Sequence, residues 1–200
     1  MPGPGRHEAA YEIVAIASSA GGVKALIEVF GALPADFPVP VVVVQHLDPR
    51  RETLLADILD RRSSLSVKLA EAGDVLRPGV VYVAPPDHHL LVEAGDVAGL
   101  TVTEQVKFVR PSADLLFESV AAVHGPAALA CVLTGTGSDG AAGAAAIKAV
   151  GGTVVSQDPE TAEFKGMPDA VAKAVPVDLV LPLDEVAGAL VGLVNGTRTV

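Results

Sequence analysis

Three groups of residues could do chemistry, and each follows an apolar run. Ser18 and Ser19 follow the run at 13–17, His46 follows the one at 39–44, and the stretch from Thr134 to Asp139 follows the one at 127–133. A hydroxyl, an imidazole and a carboxylate are the parts of a hydrolytic triad. The imidazole takes the hydroxyl proton, and the carboxylate holds its tautomer and stabilises the charged form. The chain order Ser–His–Asp differs from the Ser–Asp–His of the α/β-hydrolases, and Ala17-Ser18-Ser19-Ala20-Gly21 only approaches a G-x-S-x-G elbow. Small residues still suit a tight turn there, and N–H groups opening a helix suit a developing oxyanion. Each group also has a plainer reading. Ser18 or Ser19 could cap a helix, His46 could be a loop histidine, and Asp139 could cap a helix starting near Gly140.

A rival motif overlaps the third group. Gly135-Thr136-Gly137-Ser138-Asp139-Gly140 spells G-x-G-x-x-G between a strand and a helix, with Asp158 and Glu160 about 20 residues on, as in a dinucleotide site. Against it, Asp139 would set a negative charge in the turn that cradles a pyrophosphate. Only sixty residues follow Gly140, too few for a second mononucleotide half plus a substrate domain. A nucleotide-binding module is the second hypothesis; a catalytically weak interaction domain is a third. Of the histidines, His7 falls in the opening segment and His124 at a helix end, while His88 and His89 follow Ala84-Pro85-Pro86. No metal-ligand spacing joins His46, His88 and His89, and no metal or cofactor is expected.

The elements that must position these residues alternate. Continuous Val/Ile runs, each followed by a helical pattern, indicate parallel strands buried on both faces. Strands are expected at 13–17, 39–44, 67–69, 80–84, 127–133, 153–156 and 179–181. Helices are expected at 23–33, 52–62, 112–124, 141–150, 168–174 and 184–195. Strands at 89–93 and 100–104 around Ala94-Gly95-Asp96 suggest a hairpin. The fold class is α/β, a three-layer, doubly wound, mainly parallel sheet with a small antiparallel hairpin excursion. In such sheets reactive groups gather beyond the carboxyl ends of the strands.

Composition sets the frame. Half of the 200 residues are apolar and 19% are charged, enough for one core. Residues 1–10, with Pro2, Gly3, Pro4 and Gly5, are expected to be a disordered lead-in, and 11–200 a single catalytic domain. The net charge of −10 argues against nucleic acid and anionic membranes as partners. One cysteine, Cys131, excludes an internal disulfide framework. With no apolar run near ~18 residues, no membrane insertion and a cytoplasmic location are expected.

Six motifs stand in order along the chain: I-A-S-S-A-G-G at 16–22, V-V-V-Q-H at 42–46, A-P-P-D-H-H at 84–89, R-P-S-A-D-L-L-F at 110–117, L-T-G-T-G-S-D-G-A-A-G at 133–143 and G-M-P at 166–168. Together they resemble the catalytic domain of the chemotaxis protein-glutamate methylesterases of the CheB type. The resemblance implies Ser19 as nucleophile, His46 as base, Asp139 as orienting carboxylate, and the backbone N–H groups of Ala20 and Thr136 as oxyanion donors. It implies hydrolysis of glutamate γ-methyl esters on chemoreceptor helices, with glutamine deamidation as a second activity. Ala20 stands where the family usually has Thr, and Thr136 where it usually has Met. Both would act through their backbones, so the oxyanion hole survives the change. About ten residues stand where the family's receiver domain would, so a stand-alone enzyme or a cut chain is expected, with regulation left to a separate protein.

Overall fold

A computed structural model describes residues 10–47 and 53–197. Seven strands form one sheet: β1 (Ile13–Ser18), β2 (Val41–Gln45), β3 (Ser66–Leu69), β4 (Val80–Val83), β7 (Ala128–Val132), β8 (Thr153–Gln157) and β9 (Leu179–Leu181). Their order is β3-β4-β2-β1-β7-β8-β9, and every neighbouring pair is parallel. Strands β5 (His89–Glu93) and β6 (Val97–Thr101) pair antiparallel as a separate two-stranded sheet.

The apolar runs become the central strands because both faces of each are covered. Every residue of β1, β2 and β7 is buried. Alternation divides their side chains between two cores. Ile13, Ala15, Ala17, Val42, Val44, Ala130 and Val132 pack on one side with helices α3 (Ala113–His124), α4 (Ala141–Ala149) and α5 (Gly166–Ala174). Val14, Ile16, Val41, Val43, Leu129 and Cys131 face the other, against α1 (Gly22–Ala32), α2 (Leu55–Asp60) and α6 (Leu183–Val194). Helix α1 buries Gly22, Ala25, Leu26, Val29 and Phe30, the i, i+3, i+4 spacing of one face. The result is three layers with a doubly wound sheet, as the run-and-helix alternation predicts.

One expectation is corrected. Strand β6 begins at Val97, directly after the Ala94-Gly95-Asp96 turn, with Asp96 and Gly95 both at positive φ. The expected start at 100 overlooked how tightly that turn closes. Of the lead-in expected at 1–10, residues 1–9 lie outside the described residues, and Ala10 donates its N–H to the Val194 carbonyl (3.0 Å).

The chain direction reverses its lateral progress at β1. From there it moves outward through β2 to the edge strand β3, returns to β4 between those two, and later crosses to β7 and runs outward through β8 to β9 on the other side. A crevice beyond the carboxyl ends of the strands at such a switch point is where doubly wound sheets bind ligands. The residues following β1, β2 and β7 are the three reactive groups.

Candidate active site

The hydrogen-bond ladder continues past the strand ends and fixes their spacing. His46 N–H donates to Ser18 O (3.1 Å), and Ser19 N–H donates to Thr134 O (3.0 Å). Gln45 ties the first two ends together. Its Nε2 donates to Ser19 O (2.8 Å) and His46 O (2.9 Å), while its Oε1 accepts from the Ser18 hydroxyl (2.7 Å). Ser18 is thus wholly buried and committed to Gln45. Ser19 points instead into a cavity of about 270 Å³ that it lines with His46, Lys107, Val109, Thr136, Gly137, Ser138 and Asp139. Adjacent serines on an extended chain face opposite ways, and that geometry separates them.

Close approach accounts for two glycines here. A Cβ on Gly22 would meet Gln45 Oε1 at 2.0 Å and Ser18 Cβ at 2.7 Å. One on Gly135 would meet Met167 Sδ at 2.2 Å and Ser19 Cβ at 2.9 Å. The first lets α1 start against the Ser18–Gln45 pair, and the second lets the 134–139 loop lie beside Ser19.

Asp139 is 3% exposed and fully engaged. Its Oδ2 accepts from His46 Nε2 (2.7 Å) and from Ala113 N–H (2.6 Å). Its Oδ1 accepts from the Ser112 hydroxyl (2.8 Å) and Asp114 N–H (3.1 Å). Burial pushes the carboxyl upward, but the bond from His46 and those from the backbone of Ala113 and Asp114 outweigh it and hold the group below its ordinary value. An ionised carboxylate only accepts, so His46 Nε2 carries the hydrogen in that bond. In the neutral ring Nδ1 then holds the lone pair that could take a proton from a hydroxyl.

The plainer reading of Asp139 as a cap on its own helix is corrected. The residue flanking α4 is Gly140, without a side-chain cap, and Asp139 serves the first turn of α3 instead. Ser112 caps α3 as its position suggests, accepting from Leu115 N–H (3.5 Å). His89, wholly buried, accepts from Ser112 N–H at Nδ1 (3.1 Å) and meets Glu104 O at Nε2 (3.0 Å). His88 Nδ1 is bonded to Pro86 O (2.9 Å). His124 lies far away at the end of α3, between Glu12 (3.0 Å) and Asp96 (3.2 Å). His7 lies outside the described residues.

Several residues around the site carry no signal in the sequence pattern. Gln45 could have been suspected only from its place at a strand end. Lys107 binds Asp114 Oδ2 (2.7 Å) and Ser138 O (2.9 Å) across the cavity mouth. It sits with Phe108 at the corner of a turn where both have positive φ, 50° and 67°. Left-handed backbone costs a side-chain-bearing residue about 1–2 kcal/mol.

The glycine-rich loop is filled by the protein itself. Besides Met167 and Ser19 at Gly135, Gly166 closes on it so that a Cβ there would lie 3.0 Å from Gly137 N. Asp158, the expected ribose acid, caps its own turn by accepting from Glu160 N–H (2.9 Å). These contacts weigh against a nucleotide cradle. A larger cleft of about 680 Å³, between Tyr11, Glu12, Pro40, Leu76, Pro78 and Asp96, opens at the opposite ends of the strands and holds none of the reactive groups.

A doubly wound α/β protein whose switch point brings a serine, an imidazole and a buried carboxylate to one cavity has the frame of a serine hydrolase. The chain belongs to the CheB methylesterase family, whose model matches residues 14–190. It is 43% identical over 197 residues to the protein-glutamate methylesterase/protein-glutamine glutaminase of Moorella thermoacetica, covering 96% of this chain and 46% of that protein. A Leptospira interrogans relative is 40% identical over 183 residues, covering 92% and 95% of the two chains. The crystal structure of the Thermotoga maritima CheB methylesterase catalytic domain superposes with a TM-score of 0.89 at 41% identity, covering 92% of this chain and 99% of that one. The chain therefore spans about half of the Moorella relative and nearly all of the Leptospira one. No helix among the described residues is long and apolar enough to cross a membrane.

Proposed function

We propose that this chain hydrolyses glutamate γ-methyl esters in proteins, working in the cytoplasm on chemoreceptor-like helices, with residues 11–200 as one catalytic domain. Ser19 Oγ attacks the ester carbonyl as His46 Nδ1 takes its proton. The Ala20 and Thr136 N–H groups receive the developing oxyanion. Collapse of the tetrahedral intermediate expels methanol, which leaves with the proton returned by His46. Water then attacks the acyl-enzyme, again deprotonated by His46, and releases the glutamate carboxylate and Ser19. Asp139 stays ionised throughout, orienting the ring and stabilising the imidazolium. A glutamine amide would follow the same course with ammonia as the leaving group.

The 2.7 Å His46–Asp139 bond beside Ser19 in one cavity carries this reading. Names borne by the relatives support the substrate class. The test is methanol release from a methyl-esterified receptor fragment. Wild-type protein should release it and Ser19→Ala should not; an active Ser19→Ala overturns the assignment.

A further inference from the structure

Val106 and Val109 exchange backbone hydrogen bonds in both directions, at 3.1 and 2.9 Å, and so close a two-residue turn. Positive φ at both corners is the type I′ arrangement that Asn-Gly ordinarily fills. Here the corners are Lys107 and Phe108. Lys107 gains its ion pair with Asp114 and its bond to Ser138 O in return. Phe108 gains nothing within the fold, because it is 94% exposed. A glycine would satisfy the turn better and would not hold an aromatic ring in water. A residue in an unfavourable backbone conformation beside a site points to function.

The surroundings indicate which function. Phe108 and Val109, with His46, Leu47, Gln105 and Arg110, line a small cavity of about 70 Å³. It shares His46 and Val109 with the cavity that holds Ser19. Its volume is roughly twice the ~30 Å³ that one water takes in the liquid, room for a short aliphatic side chain. A protein segment that presents an ester to Ser19 must lay its neighbouring residues on this rim.

We propose that Phe108 and this small cavity form a specificity subsite that holds an apolar side chain of the substrate protein next to the esterified glutamate. The inference rests on the hydrolase reading above and adds how the enzyme selects among glutamates. Phe108 supplies an apolar face, and the Lys107 anchor keeps that face beside the ester cavity.

The test uses two esters and measures methanol release. One is a soluble helical peptide with a single γ-methyl glutamate flanked one turn away by valine. The other is N-acetylglutamate γ-methyl ester amide, too short to reach Phe108. Phe108→Gly should raise KM for the peptide at least tenfold with little change in kcat, and shift KM for the small ester less than twofold. Its Tm should rise by about 2 °C, since glycine relieves the backbone. Phe108→Tyr should keep the wild-type KM. Equal shifts on both esters, or a wild-type KM for Phe108→Gly on the peptide, each overturn the subsite. Ser19→Ala separates the two claims. If it is inactive while Phe108→Gly behaves as wild type on the peptide, only the subsite fails. If wild-type protein cleaves neither ester, the hydrolase reading fails and takes the subsite with it.

Discussion

Asp139 and Asp114 cap each other's helices. Asp139, just before α4, accepts the N–H groups of Ala113 and Asp114 at the start of α3. Asp114, in that first turn of α3, accepts through Oδ1 the N–H groups of Gly140 (2.8 Å) and Gly143 (2.9 Å) at the start of α4. Helix starts leave such N–H groups without intrahelical partners, and carboxylates there are favoured by the helix dipole. The exchange locks the two helices together at the point where Asp139 meets His46. Lys107 closes the arrangement by neutralising Asp114.

Asp139→Asn should therefore lower both turnover and stability. In turnover the expected loss is at least about a hundredfold, roughly 2.7 kcal/mol of transition-state stabilisation. The amide also brings two donors to a place where four donors already converge, so about 1–3 kcal/mol of stability should go with it. Ester turnover and melting measured on one preparation check this; full activity would sink the triad role.

Asp114→Asn should reduce turnover about tenfold with little change in KM, because it loosens the seat of Asp139 without touching the cavity floor. Lys107→Met, which removes the same ion pair from the other side, should add little to that loss when the two are combined. Fully additive losses in the double variant would contradict a shared role.

The two serines should separate cleanly. Ser19→Ala should leave melting unchanged and cost up to about six orders of magnitude in turnover. Ser18→Ala should remain active once folded, but leave Gln45 Oε1 without its donor inside the protein. That costs about 1–3 kcal/mol, several degrees in Tm for a chain of this size. The reverse pattern would shift the nucleophile by one residue.

Acid stability should report Asp139. Its carboxyl lies below the ordinary 3.8 in the native state, so its stabilisation is complete above that value. As pH falls through 3.8 toward the lower native value, the unfolded state takes up the proton first and the stabilisation is lost. Denaturant unfolding between pH 5 and 2.5 should show a steeper decline for wild-type protein than for Asp139→Asn. Parallel curves would show that Asp139 is not held ionised by the fold.

Much of this molecule is legible in its sequence because its central strands are continuous apolar runs and its helices repeat apolar residues at i, i+3 and i+4. The reactive groups are legible by position, since each directly follows such a run. Adjacency alone could not separate Ser18 from Ser19; the family motif pointed to Ser19, and it is Ser19 that lines the cavity while Ser18 bonds Gln45. The mutual capping lay out of reach, because it pairs residues 25 apart through backbone N–H groups that no side-chain pattern records. For the same reason the capping preference of Asp139 suggested the nearer helix when the further one is served. Phe108 was invisible as well, since a lone aromatic in the mixed stretch 104–110, outside any helix or strand, has no periodicity to betray it.

The ladder that runs on past β1 and β2 also sets how the site can move. Ser19 and His46 hang from amide bonds just past the carboxyl ends of the central strands, which are themselves buried on both faces. Their N–H groups should exchange with deuterated solvent only when the whole domain unfolds, while those of Val106 and Val109 should exchange by local opening. On the proposed hydrolase reading, adaptation to differing substrates would then fall to the rim, with Ser19 and His46 held in one arrangement.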